Sequence, residues 1–316
     1  MLWPEYHPLQ SIPADRLLAV VTFGGGVKTG ALTINVPVPQ CGDPLAEVWR
    51  TSGEVRRGRH GNVEFAAADE VMFGSAAGAG GNTHDVALRV YHDIVDAARA
   101  AGYPHLLRIW NHLGGINEPE EGIERYKRFS AGRHDALISR GYDRQTFPAA
   151  SAVGASTPGL VTYFVAGRVA GKHVENPRQV PAYDYPPEHG PKSPTFARGT
   201  IGAWNGHSVF FVSGTASVVG HETRHAGDIE AQIEETLLNL DYIIGQGCRV
   251  GATPVRTKGR PSPPLAVAKV YIRRAADRDV VVSRLREALP DTRLLFLMSD
   301  ICRRDLLLEV DGLVRL

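Results

Sequence analysis

Cysteine is scarce: the 316 residues hold three, Cys41, Cys248 and Cys302, widely spaced and odd in number. That excludes a disulfide framework and points to reduced thiols in a cytoplasmic protein. Neither sign of charge is in excess, because 35 Lys and Arg face 34 Asp and Glu. The balance gives no electrostatic reason to expect a nucleic acid or a membrane surface as partner. No apolar run is long enough to span a bilayer. The start, Met1-Leu-Trp-Pro-Glu-Tyr-His-Pro8, lacks the basic-then-apolar order of a secretory signal. What remains is ordinary for a soluble globular chain: 43% hydrophobic and 22% charged residues, enough for one large core or two moderate ones.

Two ligand-binding motifs are present only in part. Phe23-Gly-Gly-Gly-Val-Lys-Thr-Gly30 resembles a phosphate loop, but Val27 stands where glycine should precede the lysine, and no helical pattern follows. A turn with several positive-φ residues is the simpler expectation. Gly74 to Gly81 is also glycine-rich and precedes a helix, without the acidic residue that a ribose needs. His221-Glu-Thr-Arg-His225 fits the spacing of a zinc-protease helix. Helical periodicity begins only after Gly227, however, with Asp228 as a plausible N-cap, so the two histidines are expected in a loop and no metal site is assigned to them.

The sequence contains a degenerate duplication. A strand around Val71 to Ser75 matches one around Val209 to Ser213. A helix follows in each half, Asp85 to Ala101 and Asp228 to Ile244, then a strand, His105 to Trp110 and Ala266 to Ile272. Second helices are expected over Glu120 to Ser139 and over Asp279 to Leu289. Each copy closes with two apolar runs that read as a hairpin of buried strands. The last pair, Leu294 to Gly312, flanks the charged turn Arg303-Arg304-Asp305. Matching Gly167 to Gly312 sets Phe164 against Glu309, so only the second copy carries a carboxylate there. Such a Glu either points at water from an edge or is buried at a cost that burial rarely leaves uncompensated. The expected layout is an N-terminal scaffold domain over 1–170, an ordered loop over 171–208 and a catalytic C-terminal domain over 209–316. The loop is rich in proline, yet Tyr183, Tyr185, Phe196 and Arg198 argue for order and for a place over the seam between the halves.

Several separate stretches, in order along the chain, resemble the chorismatase family: Arg108-Ile-Trp-Asn111, Glu124-Arg-Tyr-Lys-Arg-Phe-Ser-Ala-Gly-Arg133, Glu175 to Tyr183, Ser193 to Arg198, Ser213-Gly-Thr-Ala-Ser217, and Asp300-Ile-Cys-Arg303 leading to Glu309. The second half also resembles the RidA/YjgF imine deaminases, with Glu309 in Leu308-Glu-Val-Asp311 at the position of their site glutamate. The arginine with which those deaminases clamp a carboxylate has no clear counterpart before Cys302. The resemblance implies an α+β fold of two degenerate RidA/YjgF-like halves in a pseudo-trimeric arrangement, with a pocket between them. It also implies chorismate as substrate and no cofactor or metal; a monomer is expected.

Losing pyruvate from chorismate requires protonation of the enol-ether methylene carbon, which suits a glutamic acid kept neutral by its surroundings. Glu309 is the expected acid. The two substrate carboxylates call for planar guanidinium forks, with Arg198, Arg133 and Arg273 as candidates. Tyr126 either hydrogen-bonds the ring or packs as core. The family divides by product, and two positions point different ways: Cys302 resembles the 3-hydroxybenzoate-forming type, Ala216 the hydrolytic type that yields a dihydroxycyclohexadiene carboxylate. The expected product is 3-hydroxybenzoate, with Cys302 excluding water or shuttling a ring proton if its pKa is lowered. The diene diol is the runner-up. Mixed hydroxybenzoates, an imine deaminase and a non-catalytic binding protein are further alternatives.

Overall fold

Leu17-Leu-Ala-Val-Val-Thr-Phe23 is buried at every position and forms a strand between two others. It belongs to a four-stranded N-terminal sheet of β1 (Trp3–Pro8), β2 (Leu17–Phe23), β3 (Leu32–Val36) and β4 (Leu45–Arg50), in the order β1-β4-β2-β3. The computed structural model describes residues 3–204, 206–251 and 264–316. Phe23 to Gly30 is the connection from β2 to β3, and only Gly24 in it has a positive φ, fewer than expected.

The duplication is real at the level of topology. The first copy comprises β5 (Arg56–His60), β6 (Val63–Ala68), β7 (Val71–Gly78), α1 (Thr83–Ala100), β8 (His105–Gly114), the two-residue strands β9 (Pro119–Glu120) and β10 (Ile123–Glu124), α2 (Arg125–Ser139), β11 (Ala149–Ala155) and β12 (Leu160–Gly167). The second comprises β13 (Lys172–Val174), β14 (Gly199–Trp204), β15 (His207–Thr215), the short β16 (Val218–Val219) and β17 (Glu222–Thr223), α3 (Ile229–Val250), β18 (Leu265–Ile272), α4 (Arg278–Ala288), β19 (Arg293–Met298) and β20 (Leu308–Arg315). The six-stranded sheets run β11-β8-β12-β7-β6-β5 and β19-β18-β20-β15-β14-β13, the same order position for position. Asn82 caps α1 by accepting from Asp85 N, and Asp228 caps α3 by accepting from Ala231 N.

Two expectations need correction. The closing strand pairs are not hairpins. β18 lies between β19 and β20, parallel to the first and antiparallel to the second, and β8 lies likewise between β11 and β12. Local patterning identifies buried strands but not their partners, and here a central strand intervenes. Second, Phe164 is not the counterpart of Glu309. Phe164 packs with α1 and α2, whereas Leu308 and Val310 face α3 and α4 and leave Glu309 facing inward. The inward residues of β12 are Tyr163 and Val165. A one-residue slip in matching the strands exchanges their faces.

Helices cover the outer face of each six-stranded sheet, and the inner faces of all three sheets share one core that includes Trp49, Phe73, Trp110, Tyr163, Phe211 and Tyr271. Three sheets around one centre give the expected pseudo-trimeric arrangement. At that centre sits a charge cluster. Lys269 Nζ lies 2.7 Å from Glu47 Oε2 and 3.5 Å from Asp311 Oδ1. Arg108 Nη2 lies 3.1 Å from Asp311 Oδ2, and Ser151 and Tyr271 donate to that same oxygen from 3.0 and 3.1 Å. Trp49 Nε1 donates to Glu47 Oε1 at 2.6 Å. Two cations meet two carboxylates, and the four come from β4, β8, β18 and β20, so the cluster ties the three sheets together. Among the described residues no helix is long and apolar enough to cross a membrane.

Lys269→Met keeps the volume but leaves Glu47 without its cation. Removing one partner of a buried pair typically costs roughly 3–5 kcal/mol. Urea denaturation should show a loss of that size. A loss below about 1 kcal/mol, the level of an exposed pair, would mean that the cluster does not join the sheets.

Candidate active site

β20 presents Glu309 and Asp311 on its inward face, two residues apart. Glu309 is 4% exposed. It faces β15, where Gly214 leaves room: a methyl group there would collide with Glu309 Oε1. That oxygen has no hydrogen-bond partner, and Oε2 lies 4.0 Å from Cys302 Sγ. Burial, then the nearby Asp311 charge, raises the Glu309 pKa to about 8, against the pull of Arg108 and Arg198. The carboxyl is therefore mostly protonated at neutral pH. Burial works against ionisation of Asp311 as well, but Lys269 and Arg108 outweigh it and hold its pKa below the ordinary value.

Around Glu309 the fold assembles residues from distant segments. Arg133 and Tyr126 come from α2, Ala150, Ser151 and Ala152 from β11, Ala216 from the end of β15, and Gln179, Tyr185, Phe196 and Arg198 from the proline-rich loop. Arg133 sits on the buried face of α2, which approaches α1 so closely that a methyl group on Gly132 would strike the His84 carbonyl. Its Nε and Nη2 have no partner, although its guanidinium lies over Phe129 at 5.1 Å and Phe196 at 5.8 Å. Arg198 donates to Tyr185 Oη at 2.6 Å and Val180 O at 3.1 Å, and its Nε is also unpartnered. Among the described residues neither arginine forms an ion pair. Arg198 feels the nearby Glu175 charge without a direct side-chain pair, and both buried guanidiniums keep free N–H groups, which are costly unless an acceptor completes them.

The inner cavity has a volume of about 50 Å³. It shares Tyr126, Tyr185, Cys302 and Arg303 with an outer cavity of about 610 Å³. Burial pushes the Tyr126 phenol well above its ordinary value, so it stays a donor. Burial and the Glu309 charge push the Cys302 thiol up to about 12. That contradicts a lowered pKa: Cys302 is a neutral thiol and a poor proton shuttle.

Six of the seven residues singled out from sequence thus meet in one cavity: Glu309, Cys302, Arg198, Arg133, Tyr126 and Ala216. Arg273 does not. It pairs with Asp300 at 2.6 Å and donates to the carbonyls of Ile301, Arg303 and Leu306, at 2.9, 2.8 and 2.7 Å. It braces the turn that carries Cys302. Sequence reasoning missed Gln179 and Arg303 as wall residues, and took Tyr185 and Phe196 only as signs of an ordered loop. Gln179, Phe196 and Arg303 stand on the stretches that resemble the family, and a tyrosine beside prolines in a loop over a seam is the signal for Tyr185. His221 and His225 lie off any helix, as expected. His225 has a φ of +57° and reaches Glu235 at 3.4 Å, whereas His221 follows β16 and faces the outer cavity.

Residues 47–166 match the family model described as chorismatase FkbO/Hyg5-like, N-terminal. The chain is 38% identical over 291 residues to a 3-hydroxybenzoate synthase of Streptomyces hygroscopicus, covering 90% of this chain and 85% of that protein. It is 38% identical over 280 residues to a chorismatase of Streptomyces rapamycinicus, covering 86% and 83%. A crystal structure of a chorismatase superposes with a TM-score of 0.91 at 31% identity, over 99% of this chain and 98% of that one. The fold is a duplicated α+β one, and a single cavity holds a buried glutamate with a raised pKa and two buried arginines. The chain belongs to the chorismatase family.

Proposed function

We propose that the protein converts chorismate to 3-hydroxybenzoate and pyruvate, with the second copy of the duplicated unit carrying the acid and the first contributing Arg133 and Tyr126 to the pocket. The observation that carries this reading is the neutral Glu309 in a pocket with two buried, unpaired arginines. A dianion fits two guanidinium forks, and a carbon acid–base step fits a carboxyl that still holds its proton. Arg198 and Arg133 bind the carboxylates. Glu309 gives its proton to the enolpyruvyl methylene carbon, which becomes the methyl group of pyruvate. The ring hydroxyl then displaces pyruvate internally, and its proton returns to Glu309. That oxygen then bridges C3 and C4 as a ring oxide; its C4–O bond breaks, the C3 hydrogen is lost as a proton and the oxygen on C3 takes one up, which leaves the aromatic product with no net water consumed.

Hydrolysis to the diene diol differs only in admitting water, and Ala216 favours that reading. Cys302 supports the internal route. Its sulfur stands beside the Glu309 carboxyl, is larger than a methyl group and invites water less than a hydroxyl does. It acts as a bulky neutral wall.

Glu309→Gln keeps the shape and loses the proton. Turnover, followed as pyruvate release, should fall by roughly 10²–10⁴-fold while chorismate still binds. A folded variant with near-normal turnover would remove Glu309 from the chemistry.

Cys302→Ala should move product from 3-hydroxybenzoate toward the dihydroxydiene acid. Chromatography against both standards, in ¹⁸O-water with carbonyl exchange of pyruvate controlled, reads the outcome. Wild type that makes only the diene diol would show Ala216 to be the better guide.

A further inference from the structure

At the mouth of the outer cavity three potential ligand atoms converge from two separate segments. His189 Nε2 and His221 Nδ1 are hydrogen-bonded at 3.0 Å, a bond that an ion between them would replace. Glu188 Oε1 lies 3.8 Å from the first and 3.5 Å from the second. A tetrahedral zinc site with bonds of about 2.0–2.1 Å places neighbouring ligand atoms about 3.3–3.4 Å apart. The three observed separations bracket that value, and a point about 2 Å from all three atoms exists between them. Two imidazoles and one carboxylate are a donor set suited to zinc and related divalent ions, with room for a fourth ligand from the cavity.

The surroundings fix the ligands. Lys127 Nζ donates to the Glu188 carbonyl at 2.9 Å, and Arg303 Nη1 donates to the His221 carbonyl at 2.7 Å. These two cations also oppose a metal ion, so affinity should fall short of a closed four-ligand zinc site. The His189 ring packs 4.9 Å from Tyr185, the tyrosine whose hydroxyl accepts from Arg198.

We propose that Glu188, His189 and His221 bind one divalent transition-metal ion of the zinc class, which staples the proline-rich loop to the turn after β16 and holds Tyr185 over the inner cavity. The metal takes no part in the proton transfer from Glu309. The first histidine of the His221-to-His225 motif is used, with partners from elsewhere in the chain, and His225 is not.

The test is a calorimetric titration of the metal-stripped full chain with Zn²⁺, repeated with Co²⁺ to read tetrahedral coordination from its visible bands. Wild type should bind one equivalent. His189→Ala, His221→Ala and the exposed-site variant Glu188→Gln should each weaken binding by at least about tenfold, and His225→Ala should bind as wild type does. Circular dichroism checks that each variant is folded, and Glu188→Gln keeps the test open if a histidine variant is not. The proposal is overturned if wild type shows no saturable binding, if folded Glu188→Gln and His221→Ala bind like wild type, or if His225→Ala loses the ion equally. Zinc binding is read without chorismate, so its failure leaves the proposed reaction untouched.

Discussion

Two carboxylates on one face of β20 meet opposite fates, and the rest of the structure follows from keeping them apart. Asp311 is surrounded by Lys269, Arg108, Ser151 and Tyr271, and stays ionised although fully buried. Glu309, two residues earlier, receives burial without such partners, and the Asp311 charge adds to the cost of ionising it. Adjacent titratable groups whose environments push their pKa values apart divide the roles of charge holder and acid. The same cluster that ionises Asp311 also joins the three sheets, so the structural centre and the electrostatics of the site share one set of contacts.

Duplication explains where the pocket forms. Each six-stranded sheet repeats the same strand order, yet the inward face of β12 carries Tyr163 and Val165 where β20 carries Glu309 and Asp311. One copy became apolar and the other kept the carboxylates. The cavity opens where β11 of the first sheet meets β15 of the second: Ala150 N donates to Ser213 Oγ at 2.9 Å across that seam. The proline-rich loop closes it from above, held by Arg178 to Glu235 and by Lys192 to Asp135.

The helices, the repeat and the buried strand around Glu309 were legible because hydrophobic periodicity is a local property. Strand pairing was not: nothing local to Leu294–Gly312 reveals that β18 lies between its two strands. The face of Phe164 was lost to a slip of one residue. The inward turn of Glu309 was not legible either: the pleat puts it on the face opposite Leu308 and Val310, but whether that face meets water or core depends on the sheets packed against it. Residues on the motif stretches line one cavity, while Arg273 lies outside it, because an arginine that braces carbonyls and one that faces a cavity look alike in sequence. The thiol of Cys302 was legible in position but not in protonation, since its pKa depends on burial contributed by many distant residues.

The proposed chemistry turns on Glu309 holding a proton at neutral pH. Infrared difference spectra of wild type against Glu309→Gln, titrated from about pH 6 to about pH 10, test it most directly. A protonated-carboxyl carbonyl band should be present below pH about 8 and give way to carboxylate bands above it, with turnover falling over the same range. A Glu309 that is already carboxylate at pH about 6, with no protonated band to lose, would contradict it.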